Sequence, residues 1–375
     1  MNLNPSEFYF LNSCLPYNCN TISEKLDGTG GNNGNTYIFY CISKLLFGHT
    51  IDKCDGIQNL FNINLENIDT DYINSNYKYI LINMQDQLRR NISYYPNTDL
   101  IFSNICKFLN KLKLPLLCFG LGSNCFNYAN FNNIIDELHD SQKEFIKIIS
   151  NKCKYFSIRG KYTKQIMDNL NIKNYDMVGC PTFYMNDNKQ ITRKKPLKIV
   201  VAGLPQFVYG NVNDRKIFNL SLPINSELFY FCQDYQEISL MDKKEVNNVK
   251  IFYSIDLDEI NNFFLDKDLT IGNRVHASII SMNNNILAVC GNTDSRASEM
   301  CELYKIPHIK NYKNVKNIED LVENIDLDEI NNNYRIFIKK HLNQYNIIAK
   351  MYEIEKINKI IYYKHNILFD ESEGK

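Results

Sequence analysis

Short apolar runs alternate with longer amphipathic stretches along this chain, and this alternation constrains the fold more than any other feature. Apolar runs of about 4–8 residues are typical of buried parallel strands, and the stretches between them suit crossover helices. The predicted strands lie near 77–83, 115–122, 154–159, 175–181, 197–203, 227–233, 249–255, 268–272 and 286–291. Helices are predicted at 35–47, 98–112, 132–151 and 161–170. The pattern indicates an α/β protein whose strands end in small or polar residues, where open sheets of this class bind ligands.

A polar stretch without periodicity, at 186–196, interrupts this alternation before it resumes at 197. A chain of 375 residues exceeds the usual size of a single hydrophobic core. We therefore expect two domains, at 1–190 and 191–375. Residues 329–362 are charged and periodic in Ile, Leu and Tyr, which predicts one or two terminal helices.

Composition excludes several classes of protein. Forty-two basic and forty-two acidic residues leave a formal charge of zero, so no basic surface for nucleic acid or an anionic membrane is indicated. No apolar stretch approaches the length of about 18 residues that a membrane helix needs, and no signal-peptide pattern is seen, so a cytoplasmic protein is expected. The twelve cysteines form no C-x-x-C pair, and several lie within apolar runs, which favours buried thiols over disulfides or zinc. We expect neither a metal nor a cofactor.

Arginine and histidine side chains follow the predicted strands where a ligand would bind. Arg274 and His276 form an Arg-x-His triplet just after one strand, and Arg296 follows the next. Arg159 ends an earlier strand, directly before Gly160. A guanidinium binds carboxylate or phosphate and a nearby imidazole can transfer a proton, so these residues are candidates for an anion site. Taken alone, the triplet is more readily explained by an ion pair and a helix-terminal polar residue.

Two further segments are weaker candidates. The Gly-rich turn at 28–35, which contains Asn33, Gly34 and Asn35, leads into a predicted helix whose first N–H groups could hold an anion or a sugar hydroxyl. Its spacing matches neither a dinucleotide fingerprint nor a P-loop. Asp86 lies just past a strand end and is either a functional carboxylate or a solvated loop residue. The Gly-Cys-Pro-Thr turn within 178–185 is expected to shape the edge of a ligand cleft.

Six segments together, in this order and spacing, resemble the polysaccharide pyruvyl transferase family. They are GGNNGNTYI at 30–38, FGLGSN at 119–124, SIRGKYT at 157–163, VGCPTF at 178–183, TIGNRVHASIISM at 270–282 and TDSRASEM at 293–300. The resemblance covers roughly 30–310. It implies two Rossmann-like domains facing across a cleft, as in GT-B glycosyltransferases, with a C-terminal helical segment. It also implies transfer of the pyruvyl group of phosphoenolpyruvate onto two hydroxyls of a sugar or glycan as a cyclic ketal.

The resemblance also implies roles for the candidate residues. Arg274 and His276 match the family's donor-contacting Arg-x-His motif, and Arg159 matches the arginine of its Ser-Ile/Val-Arg segment. Arg296 lies where relatives carry a basic residue, often Lys. Asp86 corresponds to an acidic residue near the second-strand loop, although NMQDQ here departs from the family's glycine-rich turn. His276 would then carry the proton, the arginines would bind carboxylate and phosphate, and Asp86 would accept a proton from the sugar.

Two other interpretations of the sequence stay open. A GT-B glycosyltransferase that uses a nucleotide sugar would share the architecture, and so would a non-catalytic glycan-binding protein on the same fold. The sequence does not identify the acceptor, for which lipid-linked and nucleotide-linked sugars are candidates. It identifies neither the hydroxyl pair nor the oligomeric state.

Overall fold

The structure is a computed structural model. It describes residues 3–15, 24, 29, 32–51, 53–85, 87–89, 97–124, 135–136, 138–184, 190–203, 221–234, 237–238, 249–291, 294–309 and 315–337. Asp86 therefore lies outside the described residues, and so does the end of the predicted C-terminal helical segment.

The first half of the chain forms a parallel sheet. Its strands are β1 (Phe8–Leu11), β2 (Gly56–Ile57), β3 (Tyr79–Ile82) and β4 (Leu116–Cys118), in the order β2-β1-β3-β4. The parallel pair β5 (Phe156–Ile158) and β6 (Tyr175–Met177) continues beyond β4 through a bridge between Leu121 and Ile158. The helices are α1 (Asn33–Phe47), α2 (Thr70–Asn76), α3 (Thr98–Lys111), α4 (Asp140–Lys152) and α5 (Lys161–Asn169).

The second half forms a six-stranded parallel sheet. Its strands are β7 (Lys198–Ala202), β8 (Glu227–Phe231), β9 (Val249–Phe252), β10 (Leu269–Gly272), β11 (Leu287–Gly291) and β12 (His308–Ile309). Their order, β12-β11-β10-β7-β8-β9, is the 3-2-1-4-5-6 order of Rossmann folds read from the other edge. The helices are α6 (Leu257–Leu265), α7 (Val275–Asn283), α8 (Ser295–Tyr304) and α9 (Ile318–Glu323). Residues 327–337 are also helical.

The predicted α/β class with two Rossmann-like sheets is confirmed. Three strands were missed, because β1 lies in an Asn- and Pro-rich start and β2 and β12 are two residues long. The helix predicted at 132–151 begins only at Asp140. The two large sheets lie on opposite sides of 186–196 in the sequence, and the domain limits placed there stay a prediction.

Helix α1 packs between the two sheets. Phe39 belongs to a cluster with Phe10 of β1, whereas Tyr37 and Cys41 belong to another with Val200 of β7. A helix that is apolar on several faces is stable only when it is enclosed, which explains why most of α1 is buried. This position brings the Gly-rich turn at its N-terminus to the junction of the two halves.

Each sheet has a point where successive connections leave in opposite directions, between β1 and β3 and between β7 and β10. Ligands of open α/β sheets bind beyond the carboxyl ends of the strands at such points. In the second sheet, β7 and β10 approach closely there, since a Cβ atom on Gly272 would lie 2.0 Å from the Ala202 carbonyl oxygen. The N–H of Arg274 donates to that carbonyl over 3.1 Å. The Arg-x-His triplet therefore begins at the ligand-binding edge of the second sheet.

Asn283 ties the two halves together and provides a test of this packing. Its Nδ2 atom donates to Tyr37 Oη over 3.1 Å and to the Thr182 carbonyl over 2.7 Å. Asn283→Leu leaves both acceptors buried without a donor, so the free energy of unfolding should fall by about 1–3 kcal/mol in urea denaturation. The neighbouring Asn284→Ala is the control, because its amide donates to the Ile280 carbonyl and to Asn261 Oδ1, both within the second half of the chain. Equal losses in the two variants would contradict the bridging role.

Candidate active site

Arg274 and His276 lie at the start of α7, at the edge described above. Arg274 is the N-cap residue of that helix, and His276 is in its first turn. Both side chains are buried, with 8% and 4% of their surface exposed. Buried cationic and titratable groups need specific partners, and the identity of those partners defines the chemistry of the site.

The guanidinium of Arg274 is paired with Glu237. Its Nε and Nη2 atoms both donate to Glu237 Oε1, the Nε contact over 2.9 Å, and the other carboxylate oxygen accepts the Gln233 N–H over 2.8 Å. Burial raises the pKa of Glu237, and Arg274 opposes that rise. Glu237 was not predicted, because it follows the apolar run of β8 in a polar stretch of sequence that matches no motif.

Both ring nitrogens of His276 lie near polar side chains of the protein. Asn32 Oδ1 accepts the Gly34 N–H over 2.8 Å, so the Gln233 atom 2.8 Å from that oxygen is the amide nitrogen. The same nitrogen lies 3.5 Å from His276 Nδ1 and can donate its second hydrogen weakly to it. The other ring nitrogen, Nε2, lies 3.9 Å from Cys180 Sγ.

Arg159 approaches the same sulfur from the first half of the chain. It is fully buried at the end of β5, and its Nη2 atom lies 3.8 Å from Cys180 Sγ. Its Nε and Nη1 atoms have no hydrogen-bond partner among the described residues. A buried guanidinium with two unused donors is costly unless a ligand completes it, and a carboxylate or phosphate fits its geometry. Cys180 thus marks the place where Arg159 and His276 meet.

The absence of a side chain at Gly122 and Gly160 makes room for Arg159 and its neighbours. A Cβ atom on Gly122 would lie 2.7 Å from Arg159 Cδ and 2.1 Å from the Gln85 carbonyl oxygen. One on Gly160 would lie 2.7 Å from Glu299 Cβ. Glycine at these two positions therefore allows the arginine and Glu299 to pack against the strand ends.

Glu299 of α8, in the second half of the chain, contacts α5 of the first half and lies near Arg159. It is 1% exposed and accepts the N–H groups of Tyr162 and Thr163, over 3.1 and 3.4 Å, at the start of α5. Burial raises its pKa to about 7, against the opposing effects of these N–H groups and of Arg159. Near neutral pH the carboxyl group is therefore only partly charged and leaves much of the charge of Arg159 uncompensated. Glu299 was missed although it lies in a segment that carries the family resemblance.

Arg296 lies one turn before Glu299 on α8. Its Nη2 atom pairs with Asp294 Oδ2 over 3.4 Å, and Asp294 caps the helix by accepting the Ala297 N–H over 2.7 Å. Arg296 is therefore in the first turn of α8, with a carboxylate beside it. Its predicted role in binding substrate stays a prediction.

The Gly-rich turn is engaged in the protein itself. The N–H groups of Asn33, Gly34 and Asn35 donate to the Gln233 carbonyl, to Asn32 Oδ1 and to the Asn32 carbonyl. They are consequently not available to an anion in this arrangement.

The side chains of this turn have structural partners as well. Asn33 Nδ2 donates to the Ser254 carbonyl over 2.8 Å, and Asn35 Nδ2 donates to the Thr29 carbonyl over 3.2 Å. A Cβ atom on Gly34 would lie 2.5 Å from His276 Nδ1. The turn thus holds the imidazole in place, while substrate contacts by Asn33, Gly34 and Asn35 stay a prediction.

The described ranges contain neither a candidate metal site nor a candidate membrane-spanning helix. No group of three or more His, Cys, Asp or Glu side chains there could hold a metal ion. Nor does that part of the chain contain a helix long and apolar enough to cross a membrane.

A family model described as polysaccharide pyruvyl transferase matches residues 34–295, well over half of the chain. A search of curated proteins gave no match. Among solved structures, UDP-N-acetylglucosamine 2-epimerase from Rickettsia bellii is similar, with a TM-score of 0.50, 10% identity, and coverage of 89% of this chain and 96% of that one. The UDP-GlcNAc 2-epimerase from Methanocaldococcus jannaschii gives a TM-score of 0.44 at 12% identity, covering 81% of this chain and 89% of that one. At such identities the likeness to the first of these shows the fold alone, the GT-B-like architecture predicted from the sequence.

The raised pKa of Glu299 predicts how stability changes with pH. Because the folded protein holds this proton up to about pH 7 and the unfolded chain releases it near 4.5, the wild type should lose stability as pH rises through that interval. The loss amounts to roughly 3 kcal/mol. Glu299→Gln retains an acceptor for the two N–H groups but cannot ionise. Urea unfolding of both proteins from pH 5 to 8 should show the variant gaining stability relative to the wild type, and a difference that does not change with pH would refute the assignment.

Proposed function

This chain belongs to the polysaccharide pyruvyl transferase family, and we propose that it transfers the pyruvyl group of phosphoenolpyruvate onto two hydroxyls of a sugar or glycan. The product would be a cyclic ketal, with release of phosphate. Membership of the family supports transfer of pyruvate onto a polysaccharide. The donor, the ketal and the roles of individual residues are our proposal.

The unsatisfied guanidinium of Arg159 carries the proposal. Phosphoenolpyruvate bears a carboxylate and a phosphate, and either group can accept the Nε and Nη1 hydrogens that have no partner among the described residues. The site lies where both halves contribute, since Cys180 contacts Arg159 of the first half and His276 of the second. A small anion bound there would be within reach of a proton donor.

Arg274 would bind the second anionic group of the donor in competition with Glu237. The buried Glu237 carboxylate already has a raised pKa. When a donor anion pairs with the guanidinium of Arg274, protonation of Glu237 would become more favourable, because Arg274 then stabilises the Glu237 carboxylate less. Arg296 would supply further positive charge from α8.

His276 would act as the general acid. As an imidazolium it would carry a proton on Nε2, the ring atom 3.9 Å from Cys180 Sγ, and the neutral imidazole would remain once that proton is transferred. Transfer of this proton to the methylene carbon of phosphoenolpyruvate gives a methyl group and an oxocarbenium-like centre at the adjacent carbon. Histidine suits this role because its ordinary pKa is close to neutrality.

The remaining steps form two carbon–oxygen bonds and break one. A sugar hydroxyl attacks the oxocarbenium carbon and loses its proton to a base, for which Asp86 stays a prediction. The bond between that carbon and the phosphate oxygen then breaks, with the arginines stabilising the departing phosphate. The second hydroxyl attacks the same carbon and closes the ring. Of the two hydroxyl protons, one restores His276 and the other leaves with phosphate.

A glycosyltransferase that uses a nucleotide sugar is the main rival, and ligand-dependent stability separates the two. Phosphoenolpyruvate should raise the unfolding temperature of the wild type, because a ligand that binds only the folded state stabilises it. Stabilisation by uridine diphosphate without any effect of phosphoenolpyruvate would favour the rival.

The acid role of His276 is tested with size-matched variants. Wild type, His276→Gln and His308→Gln are incubated with phosphoenolpyruvate and a panel of methyl hexosides, and phosphate release and ketal mass are measured. His276→Gln should lower turnover by at least about 100-fold while phosphoenolpyruvate still binds. His308 on β12 contacts the Ile306 carbonyl and is the control, which should retain activity. Near-normal turnover of His276→Gln would exclude the acid role.

A further inference from the structure

Uncharged polar side chains gather at the carboxyl ends of the first sheet. We call Ser13, Asn83, Gln85 and Asn124 the amide cluster; the first three follow β1 and β3, and the fourth follows β4. Each is at most 3% exposed. The cluster lies at the point between β1 and β3 where connections leave the sheet in opposite directions, which is a position for a ligand.

Several polar atoms of the cluster lack a hydrogen-bond partner within the part of the chain that the structure describes. Ser13 Oγ, Asn124 Oδ1 and both side-chain polar atoms of Asn83 and of Gln85 have no hydrogen-bond partner among the described residues. A buried polar group left in this state costs about 1–3 kcal/mol. The neighbouring Asn12 shows the contrast, since it donates to the Asn83 carbonyl over 2.6 Å and accepts the Leu60 N–H over 3.3 Å. Asn12 therefore contributes to the fold, whereas the polar atoms of the cluster have no such partner among the described residues.

The cluster extends to Arg159. The Gln85 carbonyl and the Arg159 side chain both lie against Gly122. The N–H of Leu88 donates to the Gly122 carbonyl, and the Leu88 carbonyl accepts the Asn124 N–H over 3.2 Å. A ligand bound to the amide cluster would therefore be next to the site of the donor anion.

The chemistry of the cluster selects its ligand. Amide and hydroxyl groups offer donors and acceptors in similar number and no net charge, whereas an anion site uses arginine or lysine and a cation site uses carboxylates. Sugar hydroxyls both donate and accept. We propose that the amide cluster binds the hydroxyls of an uncharged sugar ring. The role of this sugar as the acceptor rests on the proposed function. Its binding to the amide cluster is independent of that function.

Two consequences for substrate choice follow. A uronic acid would place a carboxylate against buried amides that carry no charge. With phosphoenolpyruvate bound to Arg159, the cation that borders the cluster, a neutral hexose should therefore bind better than the corresponding uronic acid. Because Arg159 borders the cluster, the hydroxyls that react should be those nearest the arginine, on the ring held by Asn83 and Gln85.

Size-matched apolar substitutions test the proposal. Asn83→Leu and Gln85→Met remove unsatisfied groups, so the unfolding temperature without ligand should stay the same or rise. Binding of the methyl glycosides of glucose, galactose and mannose, measured by ligand-observed NMR, should weaken by about tenfold or more for those the wild type binds. Affinity for phosphoenolpyruvate, measured by calorimetry, should change little. Asn12→Leu is the control and should lower the unfolding temperature, because it removes two satisfied hydrogen bonds.

The outcomes separate this inference from the proposed function. If the wild type binds a neutral glycoside and both variants lose it, the inference holds even where no ketal is formed. If ketal formation and glycoside binding are unchanged in both variants, the inference is wrong while the proposed function stands. A loss of stability like that of Asn12→Leu, no binding of any neutral glycoside by the wild type, or a preference for methyl glucuronide would each overturn it.

Discussion

The buried charge of Arg159 is the constraint on which the rest of the site depends. Its guanidinium is enclosed at the end of β5 with two donors that no described residue satisfies. Because residues 122 and 160 are glycines, the strand ends and α8 can pack closely around Arg159. The nearby carboxyl of Glu299 has a pKa raised to about 7, so it compensates the charge of Arg159 only weakly. A protein that needed only stability would pair this arginine or replace it. The arrangement is instead suited to an anionic ligand that binds reversibly.

The other two arginines, unlike Arg159, are paired with carboxylates. Arg274 is paired with the buried Glu237, and Arg296 with Asp294. These pairs keep both side chains ordered. His276 is positioned by Gln233 and by the N-terminus of α1, which the packing of that helix between the sheets brings to the junction.

Much of the fold could be read from the sequence, because parallel strands buried on both sides leave apolar runs that helices separate. Arg159 and His276 were found since each follows such a run. Glu237 and Glu299 were not, because a buried carboxylate that orients an arginine carries no local pattern and is revealed only by tertiary contact. The amide cluster was hidden for another reason. In a chain so rich in Asn, single amides such as Asn83 carry little information until their burial and lack of partners are known.

On the proposed function, Arg159 is kept unpaired for the donor. Calorimetric binding of phosphoenolpyruvate to Arg159→Met, combined with the thermal unfolding of the ligand-free variant, tests this role. Affinity should fall by about 100-fold or more, since a charge-assisted contact is lost, while the ligand-free protein should be as stable as the wild type or more so. Unchanged affinity, or a destabilisation of about 3 kcal/mol as when a structural ion pair is broken, would contradict it.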